Sequence, residues 1–375
     1  MILEQQKAEQ WSVMSMTRQT LRLLICVGFG SFCYAVACSA PEGCPNEDSN
    51  FDGVDLLQVG RLTTASNLPS GKYHSKCFEV GHVPNIKEGA LVCIPVTNSS
   101  ADRFPLVVFG HGDLARAESY SGLLKQVASF GFVVAAYRSC HFSVSKLPFS
   151  ACLGGKAAFL EALKIIDAWS TSAPPNVPIN MSAGVTVMGH STGGRVALMV
   201  AAVKDDPMYL SGMGFSWYNE QLDANGGALR KAAGRVVAVV PLHPDNMESA
   251  QFNPDVQGFY GAITQTPVFA TVTVLDEVLD PDTVWNNFRM VKSKHKIYGA
   301  FVSTCGHDDP TKRHVSGAWA ALFARAFVLD DPDAYKFLYG SSSSSMREVA
   351  KFGHIGSSNV DLLLCEPATS WPVEL

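Results

Sequence analysis

Long charged runs are missing from this chain. Only 17% of its 375 residues are charged, and the formal net charge is −5. No basic run and no stripe of interleaved basic and aromatic residues occurs. That excludes the electrostatic footprint of a nucleic-acid partner. There is no internal repeat, so a solenoid or propeller is not expected. No Cys-x-x-Cys pair and no Cys/His spacing suggests zinc, and neither a metal nor another cofactor is expected. What remains is apolar: 47% of the residues are hydrophobic, which suits a globular core and argues against disorder. A length prior of roughly 150 residues per domain suggests two domains. A single α/β domain can also fill this length.

The N-terminus stands apart. "LRLLICVGFGSFCYAVACSA" (21–40) is almost wholly apolar, with Arg18 and Arg22 at its head. Ala35-Val36-Ala37 places small residues at the −3 and −1 positions of a cut. Residues 1–37 therefore read as a secretory signal peptide cleaved before Cys38, with Met14 or Met16 as alternative starts. The rival readings are an uncleaved signal anchor and a lipoprotein acylated at Cys38. The expected location is secreted, or membrane-anchored if the segment is retained. Residues 38–72 form a polar, turn-rich leader. Cleavage leaves Cys38, Cys44, Cys77, Cys93, Cys140, Cys152, Cys305 and Cys365, an even set that suits an oxidising compartment. Cys77 with Cys93, Cys140 with Cys152, and Cys305 with Cys365 are candidate disulfides. Asn98 and Asn180 head glycosylation sequons.

Past the leader, eight short apolar runs read as strands: 76–80, 90–96, 105–110, 132–137, 184–189, 235–242, 267–275 and 296–302. Helical spacing fills most gaps between them. No helix separates the first two, which predicts an antiparallel edge hairpin. Strand–helix alternation with near-continuous apolar strands predicts a mostly parallel, eight-stranded sheet with helices on both faces. The segment between the fifth and sixth strands is long and carries Met208, Met213, Phe215, Trp217 and Tyr218. It reads as a cap beside the site or as an ordinary surface helix. "GSSSSSM" (340–346) reads as a linker, so residues 341–375 form a linker and tail behind a catalytic domain over 73–340.

The fifth run ends in Gly189-His190-Ser191-Thr192-Gly193, and a helix of small residues follows. Gly-x-Ser-x-Gly between strand and helix is a nucleophile elbow. The turn is so sharp that only small residues fit beside the serine, and its hydroxyl is held exposed at a helix N-terminus. A serine hydroxyl needs a base. In this architecture the acid and then the histidine follow the serine. Among His243, His295, His307, His314 and His354, His307 is best placed, on the loop after the last strand. His295 precedes that strand, at the opposite edge, and His243 comes early. Asp276 follows the seventh strand first and is the favoured acid. Asp280 is its main rival, Asp245 a more distant one, and Glu277 and Asp282 lie nearby. The oxyanion donors are the backbone N–H groups of Thr192 and of Asp113, on the loop after the third strand. Gly110, His111 and Gly112 support that loop, as Gly189, His190 and Gly193 support the elbow.

With these residues assembled, the chain resembles the α/β-hydrolase superfamily. The likeness is closest to the branch of polyester hydrolases and cutinases, dienelactone hydrolases, platelet-activating-factor acetylhydrolases and chlorophyllases. "FPLVVFGHG" (104–112), "SYSGLLKQVASFGFVVAA" (119–136), "VMGHSTGG" (187–194), "LDEVLDP" (275–281) and "CGH" (305–307) carry it. Asp113 and Asp245 stand where polyester hydrolases carry an aromatic residue and a tryptophan, which weighs against aromatic polyesters. Thr192 stands where chlorophyllases often carry arginine. The resemblance implies a serine hydrolase of carboxylic esters using Ser191, His307 and Asp276 through an acyl-enzyme, on a small or lipid-like ester. Chlorophyllase-type cleavage of a phytyl ester is one alternative. A non-catalytic binding protein on the same fold is the other.

Overall fold

The computed structural model describes residues 70–339, except 85, 87, 114, 139–141, 144–151, 154–155, 209–215, 246–259, 274–275, 304–305 and 313–314. It also describes three short segments: Leu24–Cys26, Cys33–Ala35 and Leu362–Leu363. The chain divides into Met1–Arg61 and Leu62–Leu375. Within the first unit, Leu24–Cys26 and Cys33–Ala35 pair antiparallel. The rest of the segment read as a signal and almost all of the expected leader lie outside the described residues, as do most of the tail, His314 and His354. Among the described residues no helix is long and apolar enough to cross a membrane.

The second unit is built on one sheet. All eight expected strands form: β1 (His74–Val80), β2 (Ala90–Val96), β3 (Leu106–Gly110), β4 (Val133–Tyr137), β5 (Val185–His190), β6 (Val236–Leu242), β7 (Val268–Thr273) and β8 (Lys296–Ser303). Leu362–Leu363 adds a ninth, β9, parallel to β8. The spatial order is β9-β8-β7-β6-β5-β3-β4-β2-β1. β1 pairs antiparallel with β2, and β2 with β4; the other pairings are parallel. This is the α/β-hydrolase fold, with the predicted hairpin at one edge. Cys77 and Cys93 stand opposite each other across that hairpin and are joined as a disulfide. The pairings expected for Cys140 with Cys152 and Cys305 with Cys365 fall outside the described residues.

Both faces of the sheet are covered, and strand alternation divides the core in two. Leu106 and Val108 of β3 join Val185 and Val187 of β5 on one face. There they pack with α2 (Lys156–Thr171), α3 (Thr192–Asp205) and α4 (Ser216–Gly234). Val107, Phe109 and Met188 point the other way, onto α1 (Ser121–Ser129), α6 (Val315–Val328) and α7 (Pro332–Tyr339). Central strands buried on both faces read as unbroken apolar runs, and for that reason they were legible. Between β7 and β8 lies α5 (Pro281–Phe288).

α4 carries the end of the long segment read as a cap. It breaks at Ala224–Gly227, where Asn225, Gly226 and Gly227 take positive φ. Tyr218 is buried edge-on against Phe159 of α2, and Met208 is exposed. This end of the segment packs as an ordinary helix on the core. Met213 and Phe215 lie outside the described residues.

Candidate active site

Parallel strands send their C-terminal ends to one edge of the sheet, and the loops that leave that edge meet there. Ser191 follows β5 and is the N-cap of α3, with φ 54° and ψ −119°. Positive φ is strained for a residue with a side chain, and the surroundings hold it. The Ser191 N–H donates to the Leu242 carbonyl at 3.0 Å. Its own carbonyl accepts from Asp245 N–H and Arg195 N–H, each at 3.0 Å. The elbow is thus tied to the end of β6. The Ser191 side chain makes no cap hydrogen bond to its own helix, and the residue is half-buried while Thr192 is buried.

The expected need for small residues is met. A Cβ on Gly193 would sit 2.1 Å from the Gly110 carbonyl oxygen, and one on Gly189 would sit 2.2 Å from the Gly193 carbonyl oxygen. Elbow and oxyanion loop are therefore packed backbone on backbone. Gly193→Ala is expected to cost about 3 kcal/mol or more, because backbone rather than a side chain must move. A urea titration against wild type would measure this; an unchanged midpoint would contradict the packing.

The oxyanion loop is braced from two sides. His111, buried, donates through Nδ1–H to the Gly112 carbonyl at 3.0 Å. The Gly112–Asp113 peptide is trans. Fixing its carbonyl therefore aims the Asp113 N–H the opposite way. Gly112 N–H donates to Tyr120 Oη at 3.1 Å. Tyr120 Oη lies 2.7 Å from His190 Nδ1, and His190 Nε2 lies 2.9 Å from the His307 carbonyl. A carbonyl only accepts, so His190 carries its proton on Nε2, and Nδ1 takes the tyrosine O–H. Burial first, then the neighbouring His307 and His243, hold His190 well below its ordinary pKa, so it stays neutral. Burial likewise pushes the Tyr120 phenol up. A continuous buried chain thus links the oxyanion loop to the histidine loop. Tyr120→Phe leaves Gly112 N–H and His190 Nδ1 without this partner at nearly constant shape. Its expected cost is about 1–3 kcal/mol of stability, read as a lower thermal midpoint. An unchanged midpoint would remove the brace.

Asp276 and His307 sit where the strand ends place them. His307 is buried on a helical turn after β8. Its Nδ1 lies 2.9 Å and 3.1 Å from the two carboxylate oxygens of Asp276. Its N–H donates to Glu277 Oε2 at 3.0 Å. Gly306 precedes it at φ 56°, which glycine takes without strain, and a Cβ there, 1.9 Å from that same Glu277 oxygen, would displace the carboxylate. Asp276 Oδ1 also accepts from Val278 N–H at 2.9 Å and Leu279 N–H at 2.8 Å. Its Oδ2 accepts from His243 Nδ1–H at 3.0 Å. Burial by itself would raise the pKa of Asp276. The hydrogen bonds and charges of His243 and His307 outweigh it and hold the carboxyl well below its ordinary range. An ionised carboxylate accepts only, so Nδ1 of His307 carries a proton, and in the neutral ring the lone pair a base needs is then on Nε2. The rings of His190 and His307 are 4.7 Å apart, which sets His307 beside the elbow.

The rival residues have other work. Asp280 caps α5, accepting from Asp282 N–H and Thr283 N–H. Asp245 pairs with Arg195 at 3.0 Å. His295 lies among Phe327, Tyr335 and Tyr339. Sequence reasoning missed Tyr120. It also missed the backbone contact of Glu277 and set His243 aside as too early. The ring nitrogens of His190, His243 and His307 lie within 4.8 Å of one another. His190 spends both of its nitrogens on hydrogen bonds, so the group reads as a hydrogen-bond network and not as a cation cage.

Comparison with known proteins agrees with this fold. A family model described as chlorophyllase matches residues 63–215. That span includes the oxyanion loop and the elbow and stops before Asp276 and His307. Chlorophyllase-1 of Arabidopsis thaliana is 28% identical over 141 residues, covering 33% of this chain and 40% of that protein. The chain thus spans well under half the length of the curated relative it matches. Sheet order, elbow and both matches fit the α/β-hydrolase superfamily, in the branch that includes the chlorophyllases.

Proposed function

We propose that this protein hydrolyses carboxylic esters by serine catalysis. Ser191 attacks the ester carbonyl, and His307 Nε2 takes its proton. Asp276 holds the imidazole in that tautomer and stabilises the imidazolium that forms. The N–H groups of Thr192 and Asp113 receive the oxyanion. His307 then protonates the leaving alcohol, and water, activated by the same histidine, releases the acid from Ser191. The observation that carries this reading is the His307–Asp276 pair set against an elbow serine whose side chain is not spent on its helix cap. None of these steps calls for a metal or another cofactor. We also propose export, with the Cys77–Cys93 disulfide supporting an oxidising compartment.

Chlorophyll is a second substrate reading, favoured by the match to a chlorophyllase family model over the nucleophile half of the site. Initial rates on p-nitrophenyl esters from C2 to C16, beside release of chlorophyllide from chlorophyll, separate the two. Short-ester turnover without chlorophyllide release supports the general esterase, and the reverse supports the phytyl ester. Folded protein that neither turns over any ester nor labels with a fluorophosphonate leaves the binding-protein alternative.

A further inference from the structure

His243 is a buried histidine that the proposed reaction does not use. It has no solvent exposure, so it cannot reach a substrate. It follows β6 at φ 44°, a strained conformation for a residue with a side chain. Its N–H donates to the Thr271 carbonyl of β7 at 2.7 Å, which holds the backbone in that state. The ring then reaches Asp276 Oδ2, the same oxygen that His307 approaches at 2.9 Å. The His243 ring lies 5.7 Å from His190 and 5.8 Å from His307, centre to centre, at steep angles to both.

Asp276 therefore has two kinds of support. Val278 and Leu279 hold Oδ1 from the backbone. Among the described residues, Oδ2, which carries the shorter contact to His307, meets two side chains, His307 itself and His243. Without His243 the carboxylate would pivot about its two backbone bonds, and the direction in which it presents Oδ2 would loosen. We infer that His243 is a positioning residue, donating from β6 to Asp276 so that the acid holds His307 in line with Ser191. This rests on the ester-hydrolase reading above. A histidine suits the task because it donates from Nδ1 without adding the permanent charge a lysine or arginine would bring.

Two substitutions test it at constant backbone. Asparagine and glycine both tolerate positive φ. The His243→Asn amide stands close to where Nδ1 was and still donates, while His243→Gly does not. Measured on a p-nitrophenyl ester, His243→Gly should lower kcat about ten- to hundredfold with KM within about twofold. His243→Asn should recover most of that loss. Should the glycine variant not fold, His243→Leu takes its place, close to asparagine in shape and without a donor. Equal kcat in the donor and non-donor variants would overturn the inference, and so would a loss confined to KM. Wild type and Ser191→Ala run alongside separate the two levels of the argument. An inactive wild type defeats the ester-hydrolase reading, whereas an active wild type with matched His243 variants defeats only the positioning role.

Discussion

Ser191→Ala should lower kcat on p-nitrophenyl esters by about 10⁶-fold, with the thermal midpoint almost unchanged. The first half follows from the chemistry. Without the hydroxyl there is no acyl-enzyme, and removing a triad serine costs about as much as removing the whole triad. The second half follows from the elbow. The strain at φ 54° belongs to the backbone, and alanine meets it as serine does. The bonds that hold the turn come from the Ser191 N–H and carbonyl, which the substitution keeps. The side chain makes no helix cap, so little capping energy is lost. Alanine also adds no volume toward Gly112, whose Cβ would lie 3.0 Å from that of residue 191. Activity and stability therefore separate, as they must if the residue acts chemically. A mutant within tenfold of wild type would exclude Ser191 as nucleophile. A mutant that melts much lower would make the serine a structural turn residue.

The placement of Ser191, Asp276 and His307 could be read from the sequence because its logic is local. Ser191 sits in a motif, His307 follows the last strand, and Asp276 follows the seventh. Each position depends on a strand end, and the strands were visible as apolar runs. The rivalry between Asp276 and Asp280 was also decidable. Asp280-Pro281-Asp282-Thr283 is a helix start, with an N-cap acid followed by proline at the first helical position. That signal assigns Asp280 to its own helix. Asn225-Gly226-Gly227, where the chain takes positive φ and α4 breaks, was an unread signal of the same kind. Asp245 was different, because its partner Arg195 lies on another element and no spacing reveals the pair. The same holds for His243 and Tyr120. Each is one polar group whose partner is fixed only when distant elements come together. A buried hydroxyl or imidazole must find such a partner, and the neighbouring residues in the sequence do not say which.

Asp276→Asn carries the second large expectation, and the hydrogen-bond pattern fixes its direction. Oδ1 of Asp276 faces the N–H groups of Val278 and Leu279, so the amide oxygen of asparagine must take that place. The NH₂ group then stands where Oδ2 was, facing Nδ1 of both His307 and His243. At the shorter His307 contact and at His243 donor would meet donor, which favours the proton of each ring on Nε2. His307 then presents N–H to Ser191 where it should present a lone pair, and cannot accept the serine proton. A wrong tautomer at constant shape costs about 10⁴-fold in kcat, with substrate binding little changed. Stability should respond to pH with a definite sign. The carboxyl of Asp276 is held below its ordinary range in the fold. Its stabilisation is therefore complete above an unfolded value of about 3.9 and is lost as the pH falls through the lower folded value. Wild type should thus melt above Asp276→Asn at neutral pH, and the gap should narrow on acidification below about pH 4. A kcat within tenfold of wild type would remove Asp276 from the triad. A melting gap that widens in acid would mean the carboxylate is not the stabilised form.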